Sequence, residues 1–436
     1  MKPSIAFHTL GCKVNQYDTQ AMAERFAEAG YREVPFDQQA DVYLINTCTV
    51  TGTGDRKSLQ LARRLKREHP ESRLILCGCL AQKAGESLLS CGADLIVGTQ
   101  FRNDVVSLLE EVMSSGVPRC AVQPLPPVMP YESLHITRQH GHTRAVLKIQ
   151  EGCNNRCTYC IIPSVRGPIR SRPLPEIGEE ARRLRDAGFR EIVLTGIHLS
   201  SWGLDFSPRG SLLEVIELLQ GMNGIDRIRL GSLEPVIATQ AFAEALGCCS
   251  KVCPQFHLAL QSGSDAVLRR MKRRYNTDQF LAAVEHLRAV YPRAAFTTDL
   301  LTGFPGETEE EFGETARMID RVGFARIHVF PYSPREDTLA QAMPGQLSAA
   351  EKESRARRLI ALGKQASRRY LESWIGETAE LLPEETVDGC WEGYTPEYIR
   401  VRVPEGVPLK QGIPVRVRLS SIEGQKMTAE VESSGS

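Results

Sequence analysis

Over the first hundred positions, short β-branched or apolar runs alternate with amphipathic stretches, the pattern of parallel strands joined by helices. SIAFHTL, DVYLINT, RLILCG and DLIVGT predict the strands. YDTQAMAERFAEAGY and DRKSLQLARRLKREH predict helices between them, the first with Asp18 as its N-cap and Gly30 closing it. Residues 1–115 are thus expected to form an open α/β domain. From Gly116 to His142, around PLPPVMP, prolines are too dense for a regular element and predict a linker. Six strand-like runs follow, RAVLKIQ, EIVLTG, RIRLGS, QFHLAL, AFTTDLL and RIHVFPY, each separated from the next by a helix-length segment. They predict an open, partial (β/α)6 barrel within residues 143–371. After the basic helical stretch RARRLIALGKQASRRYLESW, the short alternating runs TAELLP, YIRVRVP, PVRVRLS and MTAEVE predict a small β-barrel over 372–433.

A length of 436 residues suits three such domains better than one core. No apolar run is long enough to cross a bilayer, and the opening MKPSIAFHTLGCKVNQ lacks the pattern of a secretory signal, so we expect a cytoplasmic protein that does not enter a membrane. In that setting thirteen cysteines suggest metal ligands or buried thiols in preference to disulfides. Lys plus Arg and Asp plus Glu balance at 53 each, so a grip on a polyanion must come from local clusters. Candidates are Arg166, Arg170 and Arg172, the stretch Arg269 to Arg274, and Arg355 to Arg369. On the last barrel, Arg400, Arg402, Arg416 and Arg418 alternate on two strands, with Tyr394 and Tyr398 nearby to stack on an unpaired base. A solvated strand face is the plainer alternative.

EGCNNRCTYC places Cys153, Cys157 and Cys160 in a Cys-x-x-x-Cys-x-x-Cys array just after the first barrel strand. Three thiolates leave one iron of a 4Fe-4S cluster without a protein ligand. That iron can chelate an amino and a carboxylate group, such as those of S-adenosylmethionine, and pass an electron to the sulfonium. Structural zinc is the rival, but Ile161, Ile162 and Pro163 offer no fourth ligand. Cys12, Cys48 and Cys79 each fall just past a predicted parallel strand, where loops converge, and could form a second three-thiolate site or be buried thiols. Cys77 reads as strand core. Cys248 and Cys249 are neighbours and would diverge, so CCxxxC with Cys253 is a poor ligand set. Cys91, Cys120 and Cys390 stand alone.

With TLGCKVNQYDT, INTCTVT, GCLAQ, the cysteine array with IIPSVRGPIRSRP, LTGIHL, SLEP, LALQSGSD, TDLLTGFPGETEEEF and FPYSPREDT, the chain resembles the radical S-adenosylmethionine tRNA methylthiotransferases along essentially its whole length. TLGCKVNQYDT and GYTPEYIRVRV look most like the branch acting on N6-threonylcarbamoyladenosine, at position 37 beside the anticodon. Sister branches act on isopentenyladenosine in tRNA or on a ribosomal protein aspartate. The resemblance implies two 4Fe-4S clusters, S-adenosylmethionine, a tRNA anticodon loop as partner and a reductant such as flavodoxin. It also implies that the last barrel is a TRAM domain, OB-like and RNA-binding. By the same resemblance the radical would take hydrogen from C2 of the adenine, and the Cys12, Cys48 and Cys79 cluster would hold the sulfide that is methylated and transferred. Thr195, Gly196 and Ile197 would meet the methionine amino group. Ser232, Glu234, Gln261, Asp299 and Pro331, at or near other strand ends, complete the expected cofactor pocket, against the alternative of ordinary rim polarity. No side chain is assigned as a catalytic acid or base. Gly303, Pro305 and Gly306 read as a turn before a helix capped by Thr308. An RNA-binding iron-sulfur scaffold without turnover remains the alternative from another class.

Overall fold

The computed structural model describes residues 3–137, 143–404 and 406–432. In the N-terminal part, strands β1 (Ser4–Thr9), β2 (Arg32–Glu33), β3 (Val42–Thr47), β4 (Arg73–Gly78), β5 (Leu95–Val97) and β6 (Arg119–Ala121) form one parallel sheet, ordered β2-β1-β3-β4-β5-β6. All six residues of β3 are buried because helices cover both faces, which is why it opens with the continuous apolar run VYLI before the buried polar pair Asn46 and Thr47. The helices are α1 (Lys13–Glu28), α2 (Gly52–Glu68), α3 (Cys79–Ala84) and α4 (Val105–Ser115).

Two expectations are corrected here. Helix α1 starts at Lys13 with Cys12 as its N-cap, so Asp18 lies inside it. Its carboxylate instead receives Lys148 Nζ at 2.6 Å, Arg102 Nη1 at 2.5 Å and Arg166 Nη1 at 3.0 Å, and charged partners hold it more strongly than a cap would. The proline-rich stretch is not merely a linker. It contributes β6, and then Leu134 and Ile136 are fully buried, with Tyr17 Oη donating to the Leu134 carbonyl at 2.8 Å. Its residues 138–142 lie outside the described residues.

The central part alternates β7 (Arg144–Glu151), α5 (Ile162–Arg166), β8 (Arg170–Ser171), α6 (Leu174–Asp186), β9 (Glu191–Gly196), α7 (Leu212–Gln220), β10 (Arg227–Leu230), β11 (Ser232–Leu233), α8 (Gln240–Gly247), β12 (Gln255–Leu258), α9 (Asp265–Arg270), α10 (Thr277–Val290), β13 (Ala295–Thr302), α11 (Glu309–Val322), β14 (Arg326–Pro331) and α12 (Ala349–Glu372). Parallel pairing runs β7-β9-β10 and β11-β12-β13-β14, and a parallel bridge from Ile228 to Val252 joins the two arcs. Ala145, Leu147, Ile149, Ile192, Leu194, Ile228, Phe256, Leu258 and Phe296 share one core with helix residues such as Ile177 and Leu184. Their alternates face the concave side, which is polar: Arg144, Lys148, Glu191, Arg229, Gln255, His257, Thr297 and Asp299.

The last part is a closed barrel, β15 (Thr378–Val387), β16 (Cys390–Tyr394), β17 (Arg400–Val403), β18 (Val415–Glu423) and β19 (Lys426–Val431), ordered β15-β16-β17-β19-β18. CWEGY gives no alternating signal for β16, because Gly393 is there for room: a Cβ would sit 1.9 Å from the Leu382 carbonyl oxygen. The loop after β16 docks under the barrel, with Arg229 donating to the Pro396 and Thr395 carbonyls at 2.9 and 3.2 Å. Tyr394 and Tyr398 are therefore not free for a base: they stack on each other at 4.6 Å, with Arg144 over both and Arg229 over Tyr398. Arg166, Arg170 and Arg172 are likewise buried and hold protein partners, so they cannot meet RNA. Arg400 and Arg402 are tied to Glu392 and Glu423, while Arg416 and Arg418 stay open beside Glu432. Among the described residues no helix is long and apolar enough to cross a membrane.

Asp18, Arg102, Lys148, Glu151 and Arg166 form a buried ion network between the N-terminal sheet and β7. Burial alone would raise the carboxyl pKa values, but Arg102, Lys148 and Arg166 outweigh it and hold Asp18 below, and Glu151 well below, the usual range. Asp18→Asn leaves cations unpaired and should cost about 3–5 kcal/mol in denaturant unfolding. Because both folded-state values are depressed, their stabilisation is complete above the unfolded pKa of about 4 and is lost as pH falls through that region. Asp18→Asn should flatten that acid limb.

Candidate active site between two cysteine trios

Strand β7 ends at Glu151, and Gly152 turns the chain at φ +72°, where a Cβ would lie 1.8 Å from the Pro168 carbonyl oxygen. The loop carrying Cys153, Cys157 and Cys160 is then pinned from several sides. Cys153 N donates to the Gly167 carbonyl at 3.0 Å, Thr158 N to the Met271 carbonyl at 3.1 Å, and Ala340 N to the Thr158 carbonyl at 2.8 Å. Two donors aim at sulfur: Asn155 N at Cys153 Sγ, 3.4 Å, and Arg273 Nη1 at Cys157 Sγ, 3.3 Å.

Next to this loop the Glu234 carboxylate is a hub for Asn155 Nδ2 at 3.2 Å, His198 Nε2 at 3.0 Å and Arg273 Nη2 at 3.1 Å. Burial pushes its pKa up, but His198, Arg273 and Asn155 together hold it below the usual value, so it is ionised at neutral pH. Gln150 completes the frame, donating to the Glu151 and Gly152 carbonyls and accepting from His198 N at 2.7 Å.

The second trio assembles because β1, β3 and β4 are sheet neighbours, so loops leaving their carboxyl ends meet. Cys12 follows β1, Cys48 follows β3 and Cys79 opens α3 directly after β4. A Cβ on Gly11 would lie 2.9 Å from Cys48 Cβ, which shows how closely the first two loops approach. Arg166 Nε donates to Cys79 Sγ at 3.1 Å, and Cys79 packs on Ile161 and Val165, immediately beyond Cys160. Helix α5 therefore separates the two trios. Arg335, past β14, donates to Thr49 Oγ1 at 2.7 Å and pairs with Asp55, fastening the Cys48 loop to the barrel.

Guanidinium and amide donors directed at the sulfurs of Cys79, Cys153 and Cys157 suit thiolates, the form in which cysteines hold iron-sulfur clusters. Burial raises the Cys79 thiol to about 11 and the Cys160 thiol to about 12, so cluster loading must displace their protons. Among the described residues no three His, Cys, Asp or Glu side chains close on a point fit for a single ion.

Of the pocket residues expected from sequence, Glu234 meets the cysteine loop directly through Asn155. Thr195 is buried, Gly196 packs on Gln150, and Ile197 is half-buried beside them. Gln261, at φ +65°, donates through its backbone to the Asp299 carbonyl at 2.9 Å, and the Asp299 carboxylate lies 3.5 Å from His257 Nε2. Ser232 and Pro331 are exposed at their strand ends. Asn155, His198, Gln150 and Arg273 were not singled out. Asn155 sits inside the cysteine array and His198 inside LTGIHL, so spacing could have flagged them; Arg273 belongs to the run Arg269 to Arg274 expected to grip a polyanion, but the fold turns it inward onto Cys157 Sγ and Glu234. Cys77 is strand core, and Cys248 is exposed while Cys249 and Cys253 are buried, both as expected.

A three-cysteine loop at the carboxyl mouth of a partial (β/α)6 barrel defines a radical S-adenosylmethionine enzyme. The Radical SAM superfamily model matches residues 147–319, and the model of Uncharacterized protein family UPF0004 matches residues 4–98. The chain is 42% identical over 404 residues to threonylcarbamoyladenosine tRNA methylthiotransferase MtaB of Bacillus subtilis, covering 91% of this chain and 90% of that one. It is 34% identical to the protein of the same description in Thermotoga maritima, covering 91% and 90%. It is 35% identical to tRNA-2-methylthio-N(6)-dimethylallyladenosine synthase of Mycobacterium tuberculosis, covering 86% and 70%. The radical S-adenosylmethionine methyltransferase TsrM of Kitasatospora setae shares the fold, with TM-score 0.57 at 12% identity over 82% of this chain and 85% of that one. This chain belongs to the MtaB-like radical S-adenosylmethionine tRNA methylthiotransferase family, whose cofactors are S-adenosylmethionine and 4Fe-4S clusters.

Arg273→Met removes the donor to Cys157 and leaves Glu234 with one cation fewer. Loss of that charge-assisted pair should lower unfolding free energy by about 1.5–3 kcal/mol, read by denaturant titration, with Arg273→Lys retaining part of it.

Proposed function

We propose that this enzyme transfers a methylthio group to C2 of N6-threonylcarbamoyladenosine at position 37 of tRNA. The observation that carries the reading is the pairing of two cysteine trios across α5, together with MtaB relatives that match along nine-tenths of the chain. Cys153, Cys157 and Cys160 would hold the cluster that meets S-adenosylmethionine, and Cys12, Cys48 and Cys79 the auxiliary cluster. When bound and reduced, the first cluster supplies the electron that splits the sulfonium and yields a carbon radical able to attack an unactivated C–H bond.

The chain's own residues orient the reactants. Glu234, ionised and fixed by Asn155, His198 and Arg273, offers a carboxylate to the cationic cofactor, with Thr195, Gly196, Ile197, Ser232, Gln261, Asp299 and Pro331 completing the pocket. We assign the auxiliary site to residues 1–115, radical chemistry to 143–371 and tRNA binding to 372–433. There Arg416 and Arg418, with Arg269, Lys272 and Arg274 on the barrel, offer open cations to the anticodon stem-loop. A low-potential donor such as flavodoxin and a cytoplasmic setting complete the reading.

Mass spectrometry of tRNA nucleosides tests it. Cells lacking the protein should lose the 2-methylthio form of threonylcarbamoyladenosine while keeping its unmethylthiolated precursor. Loss of the dimethylallyladenosine derivative in its place would move the chain to the other tRNA branch. Replacing Cys12, Cys48 and Cys79 together by alanine should remove about half the iron of the anaerobically reconstituted protein and abolish methylthiolation. Unchanged iron would refute the auxiliary site.

A further inference from the structure

Between the central and terminal barrels lies a cleft of about 560 Å³. One wall is the face of α12 that carries Ile360, Lys364 and Leu371, spaced to share a side of the helix. A second is strand β14, where Arg326 and His328 alternate onto the concave face, Arg326 opposite Thr297 and His328 opposite Asp299. The third is the loop after β16, with Glu397 and Ile399. Helix α12 is pressed onto β14 at Gly363, where a Cβ would lie 2.3 Å from Ile327 Cγ1, so the first two walls are held together.

The edge charges of this cleft are matched. Arg400 and Lys426 each pair with Glu392 at 2.5 Å, and Glu423 pairs with Arg402 at 3.4 Å. Arg326 and Lys364 are exposed on the walls, and neither side chain has a hydrogen bond or ion pair among the described residues. Glu397 is the converse case: its Oε2 is buried and receives no donor. Beside these charges Ile360 leaves 41% of its surface exposed.

A buried acceptor without a donor is costly unless a ligand supplies one. The volume is that of a small-molecule site, and the walls ask for an anion at Arg326 and Lys364, an N–H or O–H at Glu397, and an apolar body over Ile360. Bare phosphate meets only the first and is repelled by Glu397; a hydrocarbon meets only the last. We propose that this cleft binds a nucleoside phosphate, its phosphate toward Arg326 and Lys364 and a base or ribose donor on Glu397. The cleft opens at the amino end of β14, about 17 Å along the strand from Pro331 at the mouth, so the bound residue is not the adenosine that reacts. One source is a neighbouring unpaired nucleotide of the substrate RNA, which rests on the reading under Proposed function; the other is a free nucleotide.

The test uses the full-length, cluster-loaded enzyme without reductant, its cofactor site filled with S-adenosylmethionine. Two probes are titrated, the anticodon stem-loop bearing threonylcarbamoyladenosine and free adenosine monophosphate. Arg326→Glu and Lys364→Glu should each weaken the probe that occupies the cleft about tenfold, against less than about twofold for Arg182→Glu, the same charge change on α6. Glu397 separates a contact from a mere field. A carboxylate that only lies near phosphates repels them, and its removal tightens binding. One that accepts from the nucleotide makes Glu397→Leu about tenfold weaker and leaves Glu397→Gln within about threefold of wild type. Melting temperature and iron content report folding, and Glu397→Ala is the substitute if Glu397→Leu fails to load. Weakening of the stem-loop assigns the cleft to RNA, and weakening of adenosine monophosphate alone assigns it to a free nucleotide. If neither probe responds to Arg326→Glu and Lys364→Glu, if Arg182→Glu weakens the responding probe equally, or if Glu397→Leu fails to weaken it, the proposal is overturned. A wild-type enzyme that transfers no methylthio group to the stem-loop would instead refute the proposed function, and the adenosine monophosphate titration would still judge the cleft.

Discussion

Between the N-terminal sheet and the first strand of the central barrel, Arg166 is buried without access to water and spends its guanidinium on four partners. Nη1 is shared by Asp18 at 3.0 Å and Glu151 at 3.1 Å, Nη2 meets Asn15, and Nε donates to Cys79 Sγ at 3.1 Å. Isolated charges at such a depth would be prohibitive, so the two domains can close only when all partners are in place. Glu151 stands two residues before Cys153, while Asn15 stands three after Cys12. One planar side chain thus fixes how the two cysteine trios face each other.

The polar lumen follows from the same economy of space. Strand alternation gives the outward positions to the helix-covered core and leaves charged residues inside, where an all-helix-covered closed barrel would have packed them away. The parallel strands form two arcs, β7-β9-β10 and β11-β12-β13-β14, joined among the described residues only by the Ile228 to Val252 bridge, so the barrel stays open. Tyr394 and Tyr398 illustrate the consequence: aromatic residues suited to stacking on a base are used to seal the floor against Arg144 and Arg229.

Much of this was legible in one dimension. The six barrel strands match the apolar runs nearly residue for residue, because parallel strands covered by helices must be apolar along one whole side. The metal-binding candidates were also legible, since Cys-x-x-x-Cys-x-x-Cys is a local pattern and Cys12, Cys48 and Cys79 sit at strand ends whose convergence is a rule of open sheets. The edge strands β2 and β6, and β16 with its Gly393, were not, because each is short and owes its place to a neighbour.

Charge is where sequence stopped. Asp18 as a cap, and Arg166, Arg170, Arg172 and Arg273 as RNA-facing or solvated groups, were reasonable from adjacency, yet their partners lie up to 155 positions away. An ionised side chain is placed by whichever opposite charge folding brings near it, and that distance is not written in any local window. The sequence by itself determined the strands, the cysteine loop and the family. Only the tertiary structure decided which charges are buried and which are spent on one another, because desolvation and pairing are properties of the folded surroundings.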